Sequence, residues 1–259
     1  MANLEYCKTE RDGRIFIVTL NRPEVMNALH SPAHFELEKV WNEFAADPEL
    51  WVGIITGAGE RAFSAGNDLK VQAAGKRGPR AATGFAGLTS RYDLTKPLIA
   101  AVNGVAMGGG FETALACDII VASEQAIFAL PEPRVGLIAG AGGVHRLPRI
   151  IPMKQALGMI LTGRRVSAGE GKQLGFVNEV VPHGELMAAA KRWAHLILEC
   201  SPMAVRASKQ CVYRGLDEPT LEKALATTYP MQEANAQSAD YVEGPKAFAE
   251  KRKPNWQNR

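Results

Sequence analysis

Cysteine is scarce and unpaired in this chain. The 259 residues hold four, Cys7, Cys117, Cys200 and Cys211. No two of them stand at the spacing of a zinc site or a disulfide framework, so a reducing, cytoplasmic setting is the expectation. The five histidines suggest no metal site, and no metal is expected. Long apolar runs are missing as well. No stretch approaches the roughly 20 residues of a membrane span, and MANLEYCKTERDG at the start has no apolar signal core. An excess of one charge is also lacking. Thirty basic against 27 acidic residues leave +3, without the basic face that nucleic acid needs. Basic residues thicken only at the end, where Lys246, Lys251, Arg252, Lys253 and Arg259 face one acid, Glu250. That stretch reads as a solvated tail or as a contact for a phosphate-bearing partner.

What remains is an ordinary globular composition, 46% apolar and 22% charged, long enough for one large core. Arg14–Leu20 and Trp51–Thr56 read as strands. Between them Ser31-Pro32 opens a helix whose Leu37, Val40, Trp41 and Phe44 share one face. Gly57–Gly87 is loose, with a glycine- and arginine-rich loop at 75–84. Phe85–Leu94 reads as a helix. Leu98–Val102, Asp118–Ala122, Ala126–Leu130 and Phe176–Val181 read as strands, and Met153–Leu161 as a helix. Ser167 with Glu170 makes a capping box. After Pro182 no strand candidate remains; helices begin at Ser201-Pro202 and Thr220, and the last spans Asp240–Lys253. The division is therefore a strand–helix core at 1–195 and a helical region at 196–259. Short strands with intervening helices fit a doubly wound sheet or a spiral of ββα units.

The stretch around Gly108-Gly109-Gly110 carries the strongest chemical signal. A buried strand, an Asn103-Gly104 turn and three glycines lead into the apolar helix FETALAC. Glycines at a helix start expose N–H groups where partial positive charge gathers. Glu112 is the only ionised group between Lys96 and Asp118. The stretch reads as an oxyanion-stabilising site or as a glycine turn with a surface glutamate. Phe63-Ser-Ala-Gly-Asn-Asp-Leu-Lys70 is a second candidate. Gly66 permits close backbone approach, the N–H of Asn67 or Asp68 can donate outward, and Lys70 can meet an anion; an Asx-capped turn is the alternative. In Phe128–Glu132 a strand delivers Glu132 between Pro131 and Pro133. With Glu112 it makes a carboxylate pair suited to acid–base chemistry, and alone it reads as a surface turn. Gly57–Ala62 formally fits a dinucleotide fingerprint, but no amphipathic helix follows it. Ser64 lacks a nucleophile context. His145, beside a glycine loop, is a weaker base candidate.

Several motifs then converge. AFSAGNDLK (Ala62–Lys70), AAVNGVAMGGGFE (Ala100–Glu112), FALPE (Phe128–Glu132), GAGGVHRLPR (Gly140–Arg149) and AFAEKRKP (Ala247–Pro254) resemble, in order and spacing, the crotonase or enoyl-CoA hydratase/isomerase superfamily. NRPEVMNAL (Asn21–Leu29) resembles its N-terminal segment. The resemblance implies an α/β spiral of ββα turns with a helical C-terminal oligomerisation region, and trimers or hexamers. It implies an acyl-CoA substrate and no separate cofactor, because the CoA thioester is itself the substrate. Carried over by motif, the amides of Asn67 and Gly109 form an oxyanion hole, and Glu112 and Glu132 act on water and alkene. Ala65, Asp68, Leu69 and Lys70 meet the CoA moiety, and Lys251 reaches a phosphate, from a neighbouring subunit. Reversible hydration of a 2-enoyl-CoA is the implied reaction. GFAGLT, EGPKAFAEKR and the central motifs are especially similar to the family's carnitinyl-CoA dehydratases, which run the same elimination and hydration on a charged acyl group. Asn67 stands where hydratases often have Ala, Ala139 where a proline is common, and Val144-His145 where Thr-Gln is common; these departures bear on the acyl pocket. A dinucleotide-dependent oxidoreductase is the rival from another class.

Overall fold

Strands come in pairs that climb from one sheet to another. The computed structural model describes residues 4–75 and 78–259. A hairpin of β1 (Cys7–Asp12) and β2 (Ile15–Leu20) precedes α1 (Ser31–Ala46). Three repeats follow. The first is β3 (Val52–Gly57), β4 (Ala62–Ser64) and α2 (Leu69–Ala73). The second is β5 (Leu98–Val102), β6 (Val105–Met107) and α3 (Gly109–Leu115). The third is β7 (Ile119–Ser123), β8 (Ile127–Ala129), α4 (Gly143–Ile150) and α5 (Met153–Thr162). Then come β9 (Val166–Ser167), α6 (Ala168–Leu174), β10 (Glu179–Val181) and α7 (Leu186–Leu198). The chain closes with α8 (Pro202–Gly215), α9 (Leu221–Ala226), α10 (Pro230–Ala236) and α11 (Ala239–Ala249).

The first strand of each repeat joins a six-stranded sheet ordered β1-β2-β3-β5-β7-β10; the second joins a four-stranded sheet ordered β4-β6-β8-β9. Pairing is parallel throughout both, except at the edges β1/β2 and β8/β9. This is the ββα spiral; the doubly wound alternative would keep all strands in one sheet.

Period-two alternation explains why the large sheet is apolar on both faces. Phe16, Val18, Leu98, Ala100 and Val102 enter a core shared with α1 and the small sheet. Ile15, Ile17, Ile54, Ile99 and Ala101 enter a second core under Ala189, Ala190 and Ala194 of α7. Helix α7 crosses residue 195, the expected boundary.

Local signals behave as their chemistry dictates. Pro32 stands in the first turn of α1. Ser167 Oγ accepts the Glu170 N–H (3.2 Å), while the Glu170 carboxylate pairs with Arg164 (2.7 Å) and does not return to the cap. Ser201 and Thr220 cap α8 and α9.

Three expectations are corrected. Phe85–Leu94 is not a helix: Phe85–Gly87 forms a single 3-10 turn with Ala86 at φ 54°. Gly87 sits so close to Glu38 of α1 that a Cβ there would meet Glu38 N at 2.3 Å, and the Thr89 hydroxyl takes the Phe85 N–H (2.9 Å). Phe176–Val181 shortens to β10, because Phe176 and Val177 N–H groups turn back to Gly171 O. The last helix ends at Ala249, and Lys251 leaves it in a left-handed conformation. In the loop at 75–84, Lys76 and Arg77 lie outside the described residues. The rest is tied to α1: Ser31 Oγ donates to Pro79 O (2.6 Å), and the Thr83 N–H and hydroxyl donate to Glu38 (3.1 and 2.8 Å).

Candidate active site

Because β4, β6 and β8 are adjacent and parallel, the segments leaving their C-terminal ends stack side by side. The C-terminal edge of parallel strands is where α/β folds commonly bind ligands. After β4 comes the Ala65–Asn67 turn, after β6 the Gly108-Gly109 turn, and after β8 the Pro131-Glu132 turn. The spiral therefore gathers residues from three distant motifs.

The first turn is pinned by the NRPEVMNAL segment. Leu29 N–H donates to Gly66 O and Asp68 N–H to Leu29 O, both at 2.8 Å, bracketing Asn67 in a parallel bridge. Ala65 N–H reaches Met26 O (2.8 Å). Asn27 is buried and donates to Ala58 O (3.0 Å) and Ala62 O (2.8 Å). Ser64 is buried too. Its hydroxyl donates to Asn27 O (2.8 Å) and accepts the Gly66 N–H (3.1 Å), so it braces the turn. A Cβ on Gly66 would lie 2.9 Å from Gly109 N, so the first two turns touch.

Gly108 holds the second turn at φ 52°. Its Cα faces the third: a Cβ there would lie 2.7 Å from Glu132 Oε1. Only glycine fits both constraints. Gly109 opens α3, and the Phe85 ring tip covers it, its nearest carbon 2.5 Å from where a Cβ would stand. Phe85 packs on His34 (ring centroids 4.4 Å), whose Nδ1 accepts the Ala86 N–H at 3.1 Å. Burial pushes the His34 pKa down to about 4, keeping it a neutral acceptor.

Glu112, one turn into α3, is 3% exposed, which rules out a surface glutamate. Its Oε1 accepts the Gly143 N–H at 2.8 Å. Burial pushes its pKa up to about 7; the Gly143 N–H opposes that and the Glu132 charge adds to it. Glu132 is half-buried in a 3-10 turn, Glu132–Val135, that follows Pro131. Burial raises its pKa as well. Among the described residues its Oε2 is buried with no hydrogen-bond partner. A buried carboxylate oxygen with nothing on it is costly in a resting protein and marks a place for a ligand or water.

The other candidates separate. Ala65 is half-buried on the turn, while Leu69 and Lys70 are exposed at the start of α2. The Asp68 carboxylate is occupied by Arg22 (3.1 Å) and by the Val71 N–H (3.4 Å), and its own N–H by Leu29 O. Lys251 is exposed past α11, and among the described residues no hydrogen bond or ion pair joins it to the 65–70 turn. His145 is exposed on α4. The Gly57–Ala62 fingerprint fails: it joins β3 directly to β4, so no helix N-terminus stands over it. Two contributors went unread in the sequence, the Gly143 N–H and Arg146, half-buried at the start of α4, while Phe85 stands as a wall on Gly109. GAGG before an apolar-periodic run was the available signal for the first.

A groove of 740 Å³ runs along the outer face of the small sheet, lined by Met26, Met107, Ala129, Pro131, Arg134 and Arg165 among others. Its volume suits a substrate-sized ligand. Two of its walls, Met107 and Pro131, are chain neighbours of Gly108 and Glu132.

A family model described as enoyl-CoA hydratase/isomerase matches residues 10–259. The chain belongs to this family. Among curated relatives in the family, a carnitinyl-CoA dehydratase of Escherichia coli (strain K12) is 46% identical over 261 residues, covering 96% of this chain and 97% of that protein. One from Salmonella typhi is 45% identical with the same coverage. Among solved structures, an enoyl-CoA hydratase from Mycobacterium tuberculosis H37Rv superposes with a TM-score of 0.92 at 37% identity, covering 98% of this chain and 99% of that one. An enoyl-CoA hydratase from Mycobacterium marinum gives 0.92 at 39% identity with the same coverage. The fold is that of the family, and these relatives are named as dehydratases and hydratases. No helix among the described residues is long and apolar enough to cross a membrane.

Proposed function

We propose that this protein is a hydro-lyase that adds water reversibly to a 2-enoyl-CoA thioester, giving a 3-hydroxyacyl-CoA. One observation carries the reading: two carboxyl groups with raised pKa meet at a glycine turn, and one of them, Glu132, keeps a buried oxygen without a partner. In the proposed reaction the thioester oxygen accepts the N–H groups of Asn67 and Gly109. Each such donor is worth about 2.7–4 kcal/mol as charge builds on the enolate oxygen. Glu112, as carboxylate, takes a proton from water while the water oxygen bonds to Cβ. Glu132, protonated and sharing that water, delivers its proton to Cα, and the proton taken by Glu112 passes back to Glu132 through the next water to restore the pair. The elements of water are added, nothing is oxidised or reduced, and the reading calls for no metal or redox cofactor. Ala65, Leu69 and Lys70, with the backbone at Asp68, line the way in for the CoA moiety, and Lys251 reaches its phosphates from a second copy.

A second reading narrows the acyl group. The 45–46% identity to carnitinyl-CoA dehydratases over nearly the whole chain favours the carnitinyl/crotonobetainyl pair, in which the same bonds form and break next to a trimethylammonium group. The Phe85 ring, fixed beside Gly109, offers an aromatic surface to such a cation. A panel of crotonyl-CoA, longer enoyl-CoA esters and crotonobetainyl-CoA, read by loss of conjugated-thioester absorbance, decides. Preference for crotonobetainyl-CoA supports the narrower reading. Activity confined to uncharged esters removes it and leaves the hydratase. No hydration of any ester removes both.

The C-terminal helices bear Val212, Leu216, Leu221, Leu225 and Phe248, each more than half exposed. Apolar patches of this kind usually mark interfaces. They support a trimer or hexamer, which light scattering on the purified protein measures. All four cysteines are free thiols, in keeping with a cytoplasmic setting.

A further inference from the structure

Arg146 stands where its own helix does not favour it. Gly142 is the N-cap of α4, so Arg146 lies in the first turn, at the positive end of the helix dipole. Among the described residues it makes no ion pair with a carboxylate. Its donors go to two backbone carbonyls: Nη2 to Thr89 O at 2.8 Å, and Nη1, at the long distance of 3.5 Å, to Ala141 O. Gly142 leaves room for it. A Cβ there would lie 2.2 Å from Nη1, and the residue has φ 112°. A local rule broken without a local benefit points to a functional cause.

The two carbonyls belong to two segments that both end on α3. One is the 84–90 segment, whose Phe85 covers Gly109. The other is the 139–143 loop, whose Gly143 N–H binds Glu112 Oε1. Gly143 is confined further, with Ala139 Cβ, Leu130 Cδ2 and Glu112 Cγ all 3.0–3.1 Å from where its Cβ would stand. Arg146 is the side chain that joins the segments.

We infer that Arg146 is a positioning residue: it clamps the 139–143 loop to the 84–90 segment, and so holds the Gly143 N–H on the Glu112 carboxylate. The inference rests on the reading of Glu112 as the group that activates water. Glu112 is faced by Glu132, by the Gly143 and Ala141 N–H groups and by the Arg146 cation. Arg146 is faced in turn by Glu112, by the Cys117 thiol and by the Tyr213 hydroxyl of α8. Tyr213 donates to Asp118 (3.1 Å). Without the clamp, the carboxylate loses a nearby cation and a fixed donor. It then holds its proton to higher pH.

The test compares the intact protein with Arg146→Gln and Arg146→Lys across about pH 5–9. Hydration kinetics are read together with a ¹³C NMR titration of labelled glutamate carboxyls, Glu112 being assigned through Glu112→Gln. In Arg146→Gln, kcat at neutral pH falls about 10- to 100-fold, the scale of a small misplacement at a reacting centre. KM stays within about twofold, because the CoA-binding turns are untouched. The acid limb and the Glu112 titration both move up in pH. Arg146→Lys keeps the charge without the planar fork, so it restores the titration more than the rate. Gly142→Ala, whose added carbon displaces Nη1, reproduces the shift and serves if Arg146→Gln does not fold. An unmoved Glu112 titration in both Arg146→Gln and Gly142→Ala overturns the inference, whatever happens to the melting temperature. If the intact protein hydrates no thioester, the functional reading falls, and the NMR titration still decides the clamp.

Discussion

Glu112 and Glu132 sit on successive turns of one spiral, and the chain treats them differently. Glu112 is held from all sides: inside α3, 3% exposed, one oxygen on the Gly143 N–H, with Arg146 behind the loop that supplies it. Glu132 stands in a short 3-10 turn between two prolines, with Oε1 over the bare Cα of Gly108 and Oε2 without a partner. The difference teaches a division of labour. The fold aims Glu112 by hydrogen bonding, while burial lifts its pKa to about 7. It aims Glu132 by backbone stiffness, which leaves an oxygen open for something that arrives.

The largest effect should come from removing either carboxyl. Glu132→Gln and Glu112→Gln should each lower kcat for hydration by about 10²–10⁴-fold, the range of a lost general acid or base. Equal activity in either variant breaks the pairing. Gly108→Ala comes next. The added carbon meets Glu132 Oε1 at a backbone angle that alanine resists, so we expect about 100-fold slower turnover and a loss of about 1–3 kcal/mol, read by steady-state kinetics and chemical denaturation. For the intact protein, hydration needs Glu112 as its carboxylate. Its rate should rise about tenfold per pH unit up to about 7, in step with the raised pKa, and fall at higher pH where Glu132 loses the proton it delivers.

Stability sharpens the comparison from the other side. The Glu112 pKa is raised on folding, so the folded state favours the neutral acid. The resulting cost is absent below the ordinary value of 4.5, grows with pH and is complete above about 7. Glu112→Gln should therefore gain about 1–3 kcal/mol above neutrality while losing turnover, and gain nothing at acid pH, as urea melts at both ends would show. The smallest effect belongs to His145→Ala. It is exposed on α4, and its kinetics should stay within about twofold of the intact protein.

Much of this was legible in the residues. The strands of the large sheet announce themselves through β-branched runs, and the caps at Ser167, Ser201 and Thr220 mark their helices. The glycine triplet and Pro131-Glu132-Pro133 stood out because their composition is rare. The strands β4 and β6 did not, since three residues are too few for a period to appear, whereas β8 lay inside the strand read at Ala126–Leu130. Their parallel register is what gathers Asn67, Gly109 and Glu132, and a register is a property of the sheet. The false helix at Phe85–Leu94 failed on Gly84, folded against Thr89 and Ser90, and on Gly87, packed against Glu38 of α1. Helix α4 was hidden by Pro148 within it and by the glycines before it.

The division between the two glutamates is tested most directly by Glu132→Gln given an enoyl-CoA ester. Binding of a saturated CoA ester is followed by calorimetry, and hydration by loss of conjugated-thioester absorbance in ¹⁸O water. The account predicts that the variant binds like the intact protein, which places one labelled oxygen at Cβ, and yet loses absorbance at least about 100-fold more slowly. A variant that hydrates the ester as fast as the intact protein would contradict it.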